Sequence, residues 1–156
     1  MHARLIASGT RLPEWVNRGY AEYSGRLGAG LRLQLVEIPL PRRSGRADVA
    51  RARAAEGDSM LAVIEPKNFV VALDAAGRSM TSPELARWLE ARLASGRDLV
   101  FAIGGPDGLA PQVLARADYR WSLSALTWPH GLVRVMLAEQ LYRAQSLLKG
   151  HPYHRA

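Results

Sequence analysis

The chain of 156 residues contains no cysteine. That absence excludes a disulfide framework, thiol catalysis, thiolate zinc fingers and iron–sulfur clusters, and it fits a reducing, cytoplasmic setting. Long apolar runs are missing as well. Stretches such as Phe69–Leu73 and Leu99–Ile103 reach only five residues, against the ~20 that a membrane helix needs, so no membrane span is expected. The opening Met1-His2-Ala3-Arg4 leads straight into an alternating segment instead of a charged and then apolar leader, so no secretion signal is expected. Lysine is scarce: 19 of the 21 basic residues are arginine, against 14 acids, which leaves a formal charge of +7.

The positive charge is concentrated. Arg42, Arg43, Arg46, Arg51 and Arg53 share twelve residues with one acid, Asp48. From His130 onward, Arg134, Arg143, Lys149 and Arg155 face only Glu139, and three of the four histidines lie there too. Two local basic concentrations suit a phosphate backbone better than uniform compositional bias does.

With 48% apolar residues, a chain of this length hides roughly 70% of its unfolded surface and can hold a core as one domain, expected over residues 1–156. Leu5–Ala7, Leu31–Ile38, Phe69–Leu73, Leu99–Ile103 and Trp121–Leu126 have the composition of strands, several apolar throughout, as buried parallel strands are. Helical spacing fills the intervals. Pro13 suits a first turn ahead of Val16, Tyr20, Tyr23 and Leu27. Val49, Ala52, Met60, Leu61 and Ile64 mark a second helix, stopped by Pro66. A third is capped by Ser82, with Pro83 and Glu84 in its first turn and Gly96 at its end. A short fourth spans 111–117. The last, 132–148, is apolar on more than one face, as suits a central packed helix or a subunit interface. The alternation predicts an α/β fold, an open parallel sheet flanked by helices.

In such sheets ligands gather beyond the carboxyl ends of the strands. Four loops there carry chemistry. Gly104-Gly105-Pro106-Asp107-Gly108 exposes backbone N–H groups but is neither a Walker loop nor GxGxxG. Asp74 suits either a ribose hydroxyl or a turn cap. The run Ser122 to Gly131 combines small hydroxyl residues, an aromatic, a proline and a histidine, suited to holding a purine or simply to turning the chain. Ser8-Gly9-Thr10-Arg11 suits a phosphate or a helix cap. The tail Gly150-His151-Pro152-Tyr153-His154-Arg155 suits an anionic or aromatic partner. His151 and His154 lack a nearby carboxylate, so no metal is expected.

Taken together, Leu99–Leu109, the run Ser122-Leu123-Ser124-Ala125-Leu126-Thr127-Trp128-Pro129-His130, Glu139-Gln140-Leu141-Tyr142-Arg143-Ala144 and the closing His151-Pro152-Tyr153-His154-Arg155 closely resemble the bacterial ribosomal RNA large subunit methyltransferase H family. The resemblance covers essentially the whole chain. It implies a SPOUT-type domain with a deep C-terminal trefoil knot, an S-adenosylmethionine cofactor and a homodimer. The activity it implies is methylation of N3 of a pseudouridine in helix 69 of 23S rRNA within the assembled 70S ribosome. Carried over by motif, the cofactor site comprises Leu73, Gly104, Gly105, Leu123, Ser124, Ala125, Leu126, Thr127 and Trp128. Candidate catalytic residues are His130, Arg134, Tyr153, His154 and Arg155, with the tail joining a site shared between subunits. Two positions depart from the family pattern: Trp128 replaces a smaller or aliphatic residue, and Gly131 stands where proline is frequent. The arginines at 42–53 are expected on ribosomal backbone.

Overall fold

A computed structural model describes residues 1–41, 45 and 48–155. Of the first basic stretch, Arg42, Arg43 and Arg46 lie outside the described residues. The strands are β1 (His2–Ser8), β2 (Arg32–Ile38), β3 (Phe69–Ser79), β4 (Leu99–Ile103) and β5 (Tyr119–Ser122). They form one sheet in the order β2-β1-β4-β3-β5, with every pair parallel. The helices are α1 (Glu14–Arg26), α2 (Asp48–Ala62), α3 (Ser82–Ser95), α4 (Pro111–Arg116) and α5 (His130–Leu148), followed by a 3₁₀ turn at Pro152–Arg155.

Each central strand serves two cores at once. In β4, Leu99, Phe101 and Ile103 join a cluster with Tyr20 of α1, Leu85 and Leu89 of α3, and Leu137 and Leu141 of α5. Val100 and Ala102 point the other way, to Met60 of α2 and Val113 of α4. Leu5 and Ile6 of β1, and Val71 and Val70 of β3, divide in the same manner. Both faces are covered, which is why β4 and the Phe69–Leu73 part of β3 are apolar without interruption rather than alternating. The helix α5 buries Arg134, Leu137, Ala138, Leu141, Ala144 and Gln145, and packs against both α1 and α3. Its several apolar faces follow from that central place.

Some boundaries differ from expectation for local reasons. The segment 123–126 is not strand, and β5 stops at Ser122. There the Ser122 hydroxyl donates to the Ser124 carbonyl at 3.0 Å, and the Leu126 N–H donates to Ser124 Oγ at 3.0 Å. Serine side chains thus take the backbone partners that a ladder would use. β3 runs on past Leu73 to Ser79 through an irregularity in its pairing with β5. Pro13 is the N-cap of α1 rather than part of its first turn, and α5 begins at His130.

Thr81, not Ser82, caps α3. Its hydroxyl accepts from the Glu84 N–H at 3.3 Å, and the Glu84 carboxylate accepts from the Thr81 N–H at 2.7 Å. This reciprocal capping box satisfies two donors at once, and it holds the Glu84 carboxyl below its ordinary range. Thr81→Ala is expected to destabilise the protein by about 1 kcal/mol in urea unfolding, and Ser82→Ala by at most a few tenths. Equal effects would remove Thr81 as the cap.

Candidate active site

A cleft opens beside the middle of β3 and beyond the carboxyl end of β4. β3 contributes Leu73, Asp74 and Ala75, and β4 contributes Ile103. The loop after β4 adds Gly104, Gly105, Gly108 and Leu109. From the other side come Trp121, Leu123, Ser124, Leu126, Thr127 and Trp128, with His130 and Val133 at the start of α5.

The glycine loop folds back on itself. The Gly108 N–H donates to the Gly105 carbonyl at 3.0 Å, and a Cβ at Gly104 would collide with the Gly108 backbone and lie 2.6 Å from Leu109 N. Only glycine at 104 permits this close approach, so the cradle has backbone rather than side chains on its floor. Helix α2 backs the loop. Arg53 Nη1 donates to the Asp107 carbonyl at 3.5 Å, and Gln112 donates to the Ala54 carbonyl at 3.0 Å.

Of the residues expected to hold a cofactor, Leu73, Gly104, Gly105, Leu123, Ser124, Leu126, Thr127 and Trp128 line this cleft, and Ala125 is exposed outside it. Asp74, expected either at a ribose hydroxyl or as a turn cap, lines the cleft too, and Ala75, Ile103, Gly108, Leu109 and Val133 complete the lining without having been named as cofactor-binding. For most of these the only available signal was adjacency to the glycine loop or to a strand end. Asp74 Oδ1 accepts from the Ala76 N–H at 3.1 Å, so at least one of its oxygens caps a turn.

The candidate catalytic residues separate into two groups. His130 lies at the cleft, where burial and the Arg134 charge lower its pKa below 6.5 and favour neutral imidazole at neutral pH. Arg134, one turn further on, is only 1% exposed. Its Nη1 meets Glu37 Oε2 at 2.8 Å, and its Nη2 donates to the Gly9 carbonyl at 2.8 Å and the Ser8 carbonyl at 3.2 Å. The guanidinium therefore holds the ends of β1 and β2 against α5 and is not presented to the cleft. Nothing in the local sequence marked Glu37 as its partner. Among the described residues no group of three or more His, Asp or Glu side chains is placed to hold a metal ion, and no described helix is long and apolar enough to cross a membrane.

Tyr153, His154 and Arg155 are elsewhere. The Tyr153 hydroxyl donates to Glu139 Oε1 at 3.0 Å, its ring packs on Tyr142 with centroids 4.5 Å apart, and the Arg143 guanidinium lies 5.0 Å from its centroid. Burial and the Glu139 carboxylate push its pKa upward. This phenol is a donor, not a proton acceptor. His154 Nδ1 is bonded to the His151 carbonyl at 2.5 Å. At 1.5 Å per residue, the anchor points Glu139 and Tyr142 lie roughly 14–18 Å along α5 from His130.

A family model described as "Predicted SPOUT methyltransferase" matches residues 1–154. A protein named ribosomal RNA large subunit methyltransferase H from Alkalilimnicola ehrlichii is 58% identical over 156 residues, all of both chains. One of the same name from Thioalkalivibrio sulfidiphilus is 56% identical over 155 residues, 99% of each. Among solved structures, a methylase family protein from Haemophilus influenzae superposes with a TM-score of 0.56 at 14% identity, covering 97% of this chain and 69% of that one. A Legionella pneumophila protein solved in complex with SAM gives 0.52 at 8% identity, covering 93% and 66%. At such identities the two structures speak for the fold.

Removing the Arg134 guanidinium would leave the buried Ser8 and Gly9 carbonyls without their donor, while Glu37 is exposed enough to be solvated. Arg134→Met is expected to cost about 2–3 kcal/mol in urea unfolding, and Arg134→Lys to recover only part of that, because a single ammonium cannot reproduce the planar fork. A loss below about 1 kcal/mol for the Met variant would show that the clamp does not hold the fold.

Proposed function

The chain belongs to the SPOUT methyltransferase family, and from that premise we propose that it transfers a methyl group from S-adenosylmethionine to N3 of a pseudouridine in helix 69 of 23S rRNA. The assembled 70S ribosome is the substrate, the enzyme works in the cytoplasm as a homodimer, and its C-terminal part forms the deep trefoil knot expected of the fold. The observation that carries this reading is the identity of 51–58% over essentially the full chain to several proteins named ribosomal RNA large subunit methyltransferase H. The formal charge of +7 supports a polyanionic substrate.

The cleft suits the cofactor. Apolar walls from Leu73, Ile103, Leu109 and Leu123 accept a purine face, and the backbone floor at Gly104 and Gly105 allows close approach without a side chain in the way. When bound, S-adenosylmethionine supplies an electrophilic methyl group on a sulfonium. The protein aligns the acceptor behind that carbon–sulfur bond, and positioning alone contributes several kcal/mol.

The acceptor nitrogen must also lose a proton. His130 is the group for this: it stands at the cleft, and its surroundings keep the imidazole neutral and able to accept. Arg134 acts as a positioning residue for His130 through the clamp on Gly9, where a Cβ would stand 3.6 Å from His130 Nε2 and 3.7 Å from Arg134 Nη2. His154 and Arg155 are anchored at the far end of α5 by Tyr153, so they meet a cleft only when a second copy brings its tail to it. That separation supports the homodimer with a shared site.

Labelled methyl groups are expected to pass from S-adenosylmethionine to 23S rRNA in 70S ribosomes that lack the modification, mapping to a pseudouridine, and not to isolated 50S subunits or tRNA. Label in tRNA would overturn the substrate assignment. Deleting residues 151–156 is expected to abolish transfer while changing the dissociation constant for cofactor by less than about threefold. Equal loss of both would remove the tail from the RNA side of the site.

A further inference from the structure

Next to the cofactor cleft lies a second, outer cleft lined by Gly105, Pro106, Thr127, Trp128, Pro129 and His130. Four of these residues, Gly105, Thr127, Trp128 and His130, also line the inner cleft. The two spaces therefore share a wall. In-line transfer requires reacting atoms about 3–3.5 Å apart, so an acceptor approaching the inner cleft must come through a space that adjoins it.

The outer cleft lies at the N-terminus of α5, but none of its six residues carries a fixed charge, whereas arginine and lysine are the usual side-chain contacts of a phosphate. It offers instead an indole, an imidazole and two rigid proline rings. Single-stranded and looped RNA is recognised by unstacking bases onto such flat surfaces. Trp128 is the largest of these surfaces and is partly exposed. Its Nε1 is buried and has no hydrogen-bond partner, so packing alone sets the ring in place. The loop beneath it is pinned by the Ser122 and Ser124 hydrogen bonds, and Pro129 follows directly as the N-cap of α5. Trp128 is also one of the two positions at which the chain departs from the pattern it resembles, having an aromatic ring in place of a smaller or aliphatic side chain.

We propose that the outer cleft receives the unstacked acceptor base and that Trp128 is the surface against which that base lies, which makes its indole a substrate-binding and specificity-determining group. The proposal rests on the reading of the chain as an rRNA methyltransferase. It gives His130 and Trp128, which line both clefts, a place on the wall between acceptor and cofactor.

The test compares wild type, Trp128→Leu and Trp128→Phe. Methyl transfer is followed to 70S ribosomes lacking the modification, at saturating cofactor and varied ribosome concentration, and cofactor binding is measured by calorimetry without ribosomes. Trp128→Leu is expected to raise the ribosome KM about tenfold or more at saturating cofactor, a size in keeping with the loss of one base–aromatic stack. Trp128→Phe, which keeps a ring, is expected to stay within about threefold of the wild-type ribosome KM, and the calorimetric cofactor Kd of each variant sets the concentration that saturates it. An unchanged ribosome KM in Trp128→Leu, or a Phe variant as impaired as Leu, would each overturn the proposal. Absence of transfer by the wild type would overturn the rRNA methyltransferase reading and this inference with it. Transfer by the wild type with an indifferent Leu variant would overturn this inference alone.

Discussion

A single buried cation holds the working end of this protein together. Arg134 sits on the second turn of α5 and reaches across to Glu37 at the end of β2 and to the Ser8 and Gly9 carbonyls at the end of β1. A guanidinium that is 1% exposed is tolerable because its charge is matched and both of its terminal nitrogens donate, while Nε is left without a partner. The planar fork meets three acceptors from two strands at once, so the orientation of α5 relative to the sheet is fixed where the cleft begins. His130, one turn earlier on the same helix, takes its position from that constraint, and burial together with the nearby charge favours its neutral imidazole.

The cleft itself depends on a division of labour in the parallel sheet. Strands buried on both faces must spend their side chains on packing, as β4 does with Phe101 on one side and Val100 on the other. Chemistry is thereby displaced to the segments beyond the strand ends. The turn at Gly104–Gly108 contributes backbone, the serine-pinned loop after β5 contributes a wall, and the first turn of α5 contributes the imidazole. α2 and α4 cover the opposite face of the sheet, and α2 reaches the loop from behind through Arg53.

The other end of α5 has a different task. Tyr153, Glu139, Arg143 and Tyr142 form a compact latch in which the Tyr153 hydroxyl and two Arg143 nitrogens donate to Glu139 Oε1, the two tyrosine rings pack together and the Arg143 guanidinium lies over Tyr153. The latch orders a tail that would otherwise fray, and it directs His154 and Arg155 away from the cleft of the same chain. The start of α5 therefore lies at the cleft, and the tail that follows its other end is held well away from it.

The sequence by itself determined the alternation of strands and helices, the limits of β4, the glycine loop and the run 122–130, because apolar period, proline placement and glycine content are local properties that do not depend on distant partners. Its motifs also pointed to the cleft residues, with Ala125 the one that faces outward. What it left open was contact across the chain. Glu37 and Arg134 are 97 residues apart, and no local pattern distinguishes that arginine from eighteen others. Leu123–Leu126 had the composition of a strand, yet serine hydroxyls divert its backbone into the cleft wall. Tyr153 and His154 had the chemistry of proton acceptors, yet Glu139 turns the phenol into a donor and the length of α5 separates both from His130. Only the tertiary structure decided these roles, since a side chain's protonation, donor sense and reach are set by whichever groups the fold brings beside it.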